Sequence, residues 1–143
     1  MKKLYFIFIL ALLPLSGILK AQITENWTPC SENPVDGTFG INGVRAYYQL
    51  STCNNLETVL LKVENLNGYA VKVGWNDVVY TNDDKKLQLS GPQDSLTIAP
   101  NSSAIGECNN MNSKLAIKLN DFGTDKYNFL TFRVINFDFV PVH

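Results

Sequence analysis

Short runs in which apolar and polar residues alternate recur from residue 43 to the end of the chain. Asn, Asp, Gly and Pro separate these runs, and such residues favour turns. Alternation with a period of two is the pattern of half-buried strands. The sequence therefore predicts an all-β fold of seven to eight antiparallel strands in two sheets, with no helix longer than two turns. The predicted strands cover 43–50, 57–65, 69–75, 78–81 and 86–90, then segments around 96–98, 115–119 and 127–140.

The strand predicted at 43–50 has one apolar and one polar face. Its apolar residues, which we expect in the core, are Val44, Ala46, Tyr48 and Leu50. That leaves Arg45, Tyr47 and Gln49 on the outer surface. A tyrosine supplies a ring and a hydroxyl at small entropic cost, and arginine supplies directional donors. These three residues are a candidate contact surface for a protein or glycan. The alternative is that a single exposed tyrosine has no function.

The connection at Asn67 and Gly68 carries information about the sheets. A two-residue hairpin there would pair Val63 with Lys72, which puts unlike residues on one face. Two arrangements avoid this mismatch. A three-residue loop with Gly68 in the left-handed conformation restores the match, or the two strands belong to opposite sheets. We favour the second arrangement.

The last predicted strand changes its apolar face partway along. Its first apolar residues occupy even positions, at Leu130, Phe132 and Val134. Its later apolar residues occupy odd positions, at Ile135, Phe137 and Phe139. Because a regular strand keeps one face throughout, we predict a bulge, a bend or a change of sheet near Val134 and Ile135.

Three segments resemble strands of small bacterial immunoglobulin-like domains. Residues 61–67 and 71–75 are similar to the B and C strands of those domains, and residues 95–103 are similar to the E strand and its following turn. The resemblance implies an immunoglobulin-like β-sandwich in which Trp75 is the buried tryptophan of strand C. It implies an architecture and no activity. The usual disulfide between the sheets has no counterpart, because Cys53 precedes the B-like strand.

The N-terminus has the layout of a secretory signal. Lys2 and Lys3 precede an unbroken apolar run at 4–13, and Ala21 offers a small residue for cleavage. The run is too short to span a bilayer. We expect a cleaved signal peptide at 1–21, an irregular lead segment at 22–42 and the sandwich domain at 43–143. The protein is then secreted or periplasmic in a bacterium, with no membrane span after cleavage.

Composition narrows the possible functions. The 143 residues include 12 basic and 13 acidic side chains, and three of the lysines lie in the predicted signal. The remaining chain is weakly acidic, which argues against a nucleic-acid partner. The single histidine, His143, is the last residue, so a zinc site or a histidine-assisted nucleophile is not expected. We expect no cofactor and no metal, and we attribute Asp121 and Asp125 to turn chemistry rather than to a calcium site.

Three cysteines in an exported chain predict one disulfide and one remaining thiol. If the strand at 94–99 runs antiparallel beside that at 57–65, Cys53 and Cys108 lie at the same end of the sandwich. We therefore predict a bond between Cys53 and Cys108, with Cys30 free or paired between molecules. A bond between Cys30 and Cys53 is the second choice.

These observations favour an exported, non-enzymatic protein that binds a protein or glycan partner or assists an envelope assembly. Residues 33–37 resemble one loop of the chagasin-like inhibitors of cysteine proteases. A secreted protease inhibitor is therefore an alternative function, and a small enzyme is another. An enzyme would need a pocket with convergent polar groups of perturbed protonation, whereas a binding module needs a flat patch or clustered loops.

Overall fold

A computed structural model describes residues 26–31 and 40–142. Within these residues the chain forms nine β-strands and one short 3-10 helix, Leu119–Phe122. The strands are β1 (Thr28–Pro29), β2 (Val44–Cys53), β3 (Leu56–Asn65), β4 (Val71–Thr81), β5 (Lys86–Gln88), β6 (Asp94–Ile98), β7 (Ser102–Ile105), β8 (Ala116–Lys118) and β9 (Phe129–Pro141).

The strands form two antiparallel sheets. In the first sheet, β1 pairs with β2 and β2 pairs with β3, while β7 and β8 share the other side of β3. In the second sheet, β4 is central, with β9 along one side and both β6 and β5 along the other. The chain passes from the first sheet to the second between β3 and β4. The predicted crossover at Asn67 and Gly68 is therefore confirmed.

The strand boundaries differ from the prediction in three places. The segments predicted at 69–75 and 78–81 form one strand, β4, which is continuous through Asn76 and Asp77. β7 was not predicted, because its sequence of two serines followed by Ala104 and Ile105 does not alternate clearly. β1 lies in the lead segment that we expected to be irregular. The described residues therefore form nine strands rather than seven to eight.

The core lies between the two sheets, where alternate residues of the long strands meet. Trp75 on β4 and Phe132 on β9 are fully buried there. Val44, Ala46 and Tyr48 are buried as predicted, and Leu50 packs against the core while partly exposed. The other large side chains that are fully buried are Leu61, Leu119, Val59, Val63, Val71, Val73, Val78 and Val79.

β9 changes its buried face through a bulge, as predicted. Asn76 pairs with Ile135 but Gly74 pairs with Asp138, so β9 holds one more residue than β4 over this stretch. Asn136 supplies the distortion with a backbone φ of 50°, and Phe137 beyond it is buried. The bulge lies one to two residues after the predicted position.

Leu130 does not share the buried face on which the alternation placed it. Thr131 pairs with Tyr80 but Phe129 pairs with Thr81, so Leu130 is an extra residue between two paired positions. Its side chain is 57% exposed. A second irregularity near the start of β9 is therefore what removes Leu130 from the core.

The cysteines pair as predicted. Cys53 at the end of β2 is bonded to Cys108, with their Cα atoms 5.0 Å apart. Cys30 is a free, buried thiol in the described structure. The predicted signal peptide at 1–21 lies outside the described residues.

The bulge in β9 should depend on the residue at 136. Asn and Gly tolerate a positive φ, whereas a β-branched residue is strained there. Asn136→Val should lower the free energy of unfolding by about 1–3 kcal/mol, and Asn136→Gly should change it by less than about 1 kcal/mol. Urea denaturation of the two variants measures this difference. Equal stabilities would contradict the assignment of the bulge to Asn136.

Removing the disulfide should destabilise the domain. The bond joins residues 55 positions apart, and a crosslink over a loop of that size is worth about 4 kcal/mol on the chain-entropy model. The double variant Cys53→Ala, Cys108→Ala should lose stability of this order in urea denaturation. As a control, a reducing agent should destabilise the wild-type protein and leave the double variant unchanged. A double variant as stable as the wild type would refute the prediction.

Candidate functional site

The predicted contact residues lie together on the outer face of the first sheet. Arg45, Tyr47 and Gln49 alternate with the buried residues of β2, as the sequence predicted. The Tyr47 hydroxyl donates a hydrogen bond to Glu64 Oε2 at 3.1 Å. Lys62 Nζ lies 3.3 Å from Glu64 Oε1 and 5.4 Å from the centre of the Tyr47 ring. The tyrosine is therefore half-buried and held in a network of β2 and β3 side chains.

A second candidate surface is a groove beside β9, which we call the β9 groove. Its volume is about 650 Å³, within the range of ligand-binding clefts. Cys30 is one of its lining residues, and its polar lining residues include Arg133 and Thr131. The Thr131 hydroxyl lies 3.3 Å from the hydroxyl of Tyr48. Its apolar lining comes from Leu130, Val134, Ile135 and Phe137.

The wall of the β9 groove at Cys30 is where the chain crosses from one sheet to the other. The Cys30 N–H donates to the carbonyl of Ala46 in the first sheet at 3.0 Å. The Cys30 carbonyl accepts from the Val134 N–H in the second sheet, also at 3.0 Å. Ser31 Oγ accepts a third hydrogen bond from the Ala46 N–H at 2.9 Å. Cys30 and Ser31 are both fully buried. The three hydrogen bonds therefore satisfy buried polar groups and hold this wall in place.

The edge of β9 facing the groove is mostly open in the described part of the chain. β9 pairs with β4 along one side, and on its other side the described residues provide a single parallel bridge, between Ser31 and Val134. Backbone groups of an antiparallel strand point alternately to either side. Since the Val134 N–H points away from β4, the N–H and C=O of Phe132 also face the open edge.

The proline at the end of β9 agrees with this assignment. Val142 donates its N–H to the carbonyl of Ala70, so Pro141 lies at a position whose missing N–H would face away from β4. Proline is found in sheets at such edge positions. Within the described residues, β9 is therefore an edge strand of the second sheet at its C-terminal end as well.

A carboxyl group lies in the core behind the β9 groove. Asp77 occupies an inward position of β4, opposite Val134, and accepts a hydrogen bond from the Trp75 indole N–H at 3.0 Å. Burial raises the pKa of Asp77 to about 7, and the nearby charge of Asp94 acts in the same direction. The side chain is therefore partly protonated at neutral pH.

The chemistry of Cys30 follows from the same surroundings. Burial raises the pKa of its thiol well above the usual range, and the negative charge of Asp77 raises it further. The thiolate is the nucleophilic form of cysteine. At neutral pH the group is a protonated thiol, which acts as a small apolar side chain.

The turn before β9 has the polar chemistry that the sequence suggested. Asp125 Oδ1 accepts from the backbone N–H groups of Tyr127 and Asn128, each at 3.0 Å. Among the described residues, no cluster of three or more His, Cys, Asp or Glu side chains has an arrangement that could hold a metal ion. The inhibitor-like residues 33–37, like His143, lie outside the described part.

Sequence reasoning located the outer face of β2 but missed the β9 groove. The groove depends on Ser31 meeting Val134, a pairing between distant parts of the chain that no local pattern encodes. Asp77 was missed for a different reason. The predicted strands ended at Trp75 and began again at Val78, whereas the chain continues as one strand and buries Asp77. A signal was available, because Asp77 continues the alternation of Val73 and Trp75.

Comparisons with protein-family models, with curated proteins and with solved structures returned no match. The described residues contain no helix of the length and apolar character needed to cross a membrane. The two surfaces are therefore interpreted from their own geometry.

The buried carboxyl group predicts an unusual dependence of stability on pH. The folded-state pKa of Asp77, about 7, is above that of the unfolded chain, so the folded state binds the proton more tightly. The stabilisation is complete below about pH 4 and is lost as the pH rises through about 7, by up to about 4 kcal/mol. Asp77→Asn should remove this slope because an amide does not titrate in this range, while its oxygen can still accept the hydrogen bond from Trp75.

Denaturant unfolding at a series of pH values between 4 and 8 measures the effect. The exposed carboxylate of Asp138 on β9 provides the matched control, and Asp138→Asn should retain the wild-type slope. If Asp77→Asn kept the full slope, the buried acid would not be its source.

Proposed function

We propose that this chain is an exported, non-enzymatic binding module with an immunoglobulin-like β-sandwich, and that it recognises a protein partner through the β9 groove. The immunoglobulin-like assignment is supported by two antiparallel sheets, by the crossing between β3 and β4, and by the burial of Trp75 on β4. Export is supported by the signal-like N-terminus and by the bond between Cys53 and Cys108, which suits an oxidising compartment.

One observation carries the proposal, namely the composition of the β9 groove. Apolar side chains from β9 line a cleft that is also lined by the polar residues Arg133 and Thr131. Binding sites commonly combine an apolar surface with a few directional polar groups, and arginine is enriched where proteins meet. Leu130 contributes an exposed apolar side chain at one end of the cleft.

The groove suits binding better than catalysis because the thiol of Cys30 is buried and its pKa is raised. A cysteine nucleophile needs a lowered pKa and an adjacent base. Burial and the charge of Asp77 act in the opposite direction on this thiol. Its backbone hydrogen bonds to both sheets give Cys30 a structural role in the wall of the groove.

Selection of a random-peptide library on the immobilised secreted protein tests the proposal. We expect peptides that bind the wild-type protein and that bind the Leu130→Asp variant at least about tenfold more weakly, because an exposed apolar contact is replaced by a charge. Leu66→Asp is the matched control. Leu66 is 48% exposed, against 57% for Leu130, and it lies in the β3–β4 connection.

Three results would overturn the proposal. The selection could yield no binder, or the Leu130 and Leu66 variants could bind equally well. Alternatively, binding could be lost in Arg45→Ala and kept in Leu130→Asp. The last result would place recognition on the outer face of the first sheet, where Arg45, Tyr47 and Gln49 lie.

A further inference from the structure

We infer that the turn before β9 carries a second binding site, which takes the end of a neutral glycan and packs a sugar ring against Tyr127. The site is a cleft of about 350 Å³, which we call the turn cleft. It shares no lining residue with the β9 groove, so the inference goes beyond the proposed function and does not depend on it. The turn cleft is lined by Asn120, Gly123, Thr124, Asp125 and Asn128.

The turn that forms this cleft is held by hydrogen bonds. Asp125 Oδ1 accepts from the backbone N–H groups of Tyr127 and Asn128, each at 3.0 Å. Asn82, which follows β4, donates its backbone N–H to the carbonyl of Asn128 at 2.8 Å. The Asn82 side chain donates to the carbonyl of Tyr127 at 3.0 Å. Binding groups on a backbone fixed in this way lose little entropy when a ligand binds.

The side chains of the turn cleft match the hydrogen-bonding needs of sugar hydroxyls, which both donate and accept. The exposed amide of Asn120 offers donors and an acceptor. Asn128 Nδ2 donates to Asp83 Oδ1 at 3.1 Å, which leaves the Asn128 side-chain oxygen as an acceptor. Asp125 uses Oδ1 to hold the turn, which leaves its Oδ2 as a second acceptor.

Gly123 leaves room for a ligand in the turn cleft. Its φ of 72° lies in the left-handed region that favours glycine, and its N–H donates to the carbonyl of Asn120 at 3.0 Å. A Cβ at this position would have no neighbour within 4 Å among the described residues beyond the adjoining ones of the chain. A sugar can therefore approach the backbone closely here.

Tyr127 supplies an aromatic surface between two residues that line the turn cleft, Asp125 and Asn128. Lys126 Nζ lies over its ring, 5.3 Å from the centre, and is paired with Glu57 Oε1 at 3.0 Å. The Tyr127 side chain is nevertheless 81% exposed, so the face of the ring opposite Lys126 is accessible. The C–H groups on one side of a pyranose ring can pack against the electron-rich face of an aromatic ring.

The composition of the turn cleft favours a neutral glycan over other occupants. Four of its lining residues have polar side chains and the fifth is glycine, so an apolar peptide finds little to contact. Asp125 is acidic, and no basic residue lines the cleft in the described part of the chain, which disfavours an anionic ligand. A metal ion needs more ligands than this carboxylate, and the described residues contain no group of three that could hold one.

A glycan array tests the inference. Neutral oligosaccharides of glucose, galactose, mannose and N-acetylglucosamine are printed beside sialylated and sulfated versions of the same chains. We expect the secreted protein to bind one or more of the neutral glycans. The anionic versions should bind at least about threefold more weakly, because the cleft provides a carboxylate and no cation to meet their charge.

Variants of Tyr127 locate the site. Tyr127→Ala should weaken binding of the best oligosaccharide at least about tenfold in calorimetry, whereas Tyr127→Phe keeps the ring and should retain binding. Tyr69→Ala is the matched control, because Tyr69 is 44% exposed and lies in the β3–β4 connection. It should bind as the wild type does. Asn120→Ala should weaken binding about fivefold through the loss of hydrogen bonds. Because both Tyr127 and Asn120 are exposed, neither alanine variant should shift the midpoint of urea unfolding.

Several results would overturn the inference. The array could show no binding to neutral glycans, or the anionic versions could bind as well as the neutral ones. Tyr127→Ala could bind as tightly as Tyr69→Ala. Binding that is abolished by EDTA and restored by Ca²⁺ would identify a bound cation and overturn recognition by these side chains alone. Tyr127→Ala should keep its affinity for peptides selected on the β9 groove, so the two sites are tested separately.

Discussion

Two hydrogen bonds at Cys30 join the sheets at one edge of the sandwich, and the arrangement of the β9 groove depends on them. The N–H of Cys30 bonds to Ala46 in the first sheet, and its carbonyl bonds to Val134 in the second. This crossing covers the β9 edge at Val134 and forms one wall of the cleft next to it. Because Cys30 must be buried to reach both sheets, its thiol stays protonated, and the neighbouring acid Asp77 is also in a dry environment.

Much of the fold could be predicted because burial between two sheets imposes a period of two. Val44 and Ala46 located the inner face of β2, and the mismatch between Val63 and Lys72 predicted the crossing between sheets. The change of face along β9 predicted a bulge before any pairing was known. β1 and β7 could not be found in this way. β1 has two residues and ends in Pro29, and its strand conformation follows from its pairing with β2.

The candidate site was less predictable than the fold, because it depends on contacts between distant parts of the chain. Alternation alone placed Tyr47 on the outer face of β2. Its hydrogen bond to Glu64 and its contact with Lys62 depend on the register between β2 and β3. The groove depends on the pairing of Ser31 with Val134 and on the exposure of Leu130. Neither feature can be recognised from the sequence around those residues.

The most direct measurement is a titration of the isotope-labelled protein with a selected peptide, followed by NMR at each backbone amide. If the β9 groove is the binding surface, the largest shift changes fall on Cys30 and on residues 130–137, while those of β2 from Arg45 to Gln49 change little. Shift changes concentrated on Arg45, Tyr47 and Gln49, with the resonances of β9 unmoved, would contradict the account.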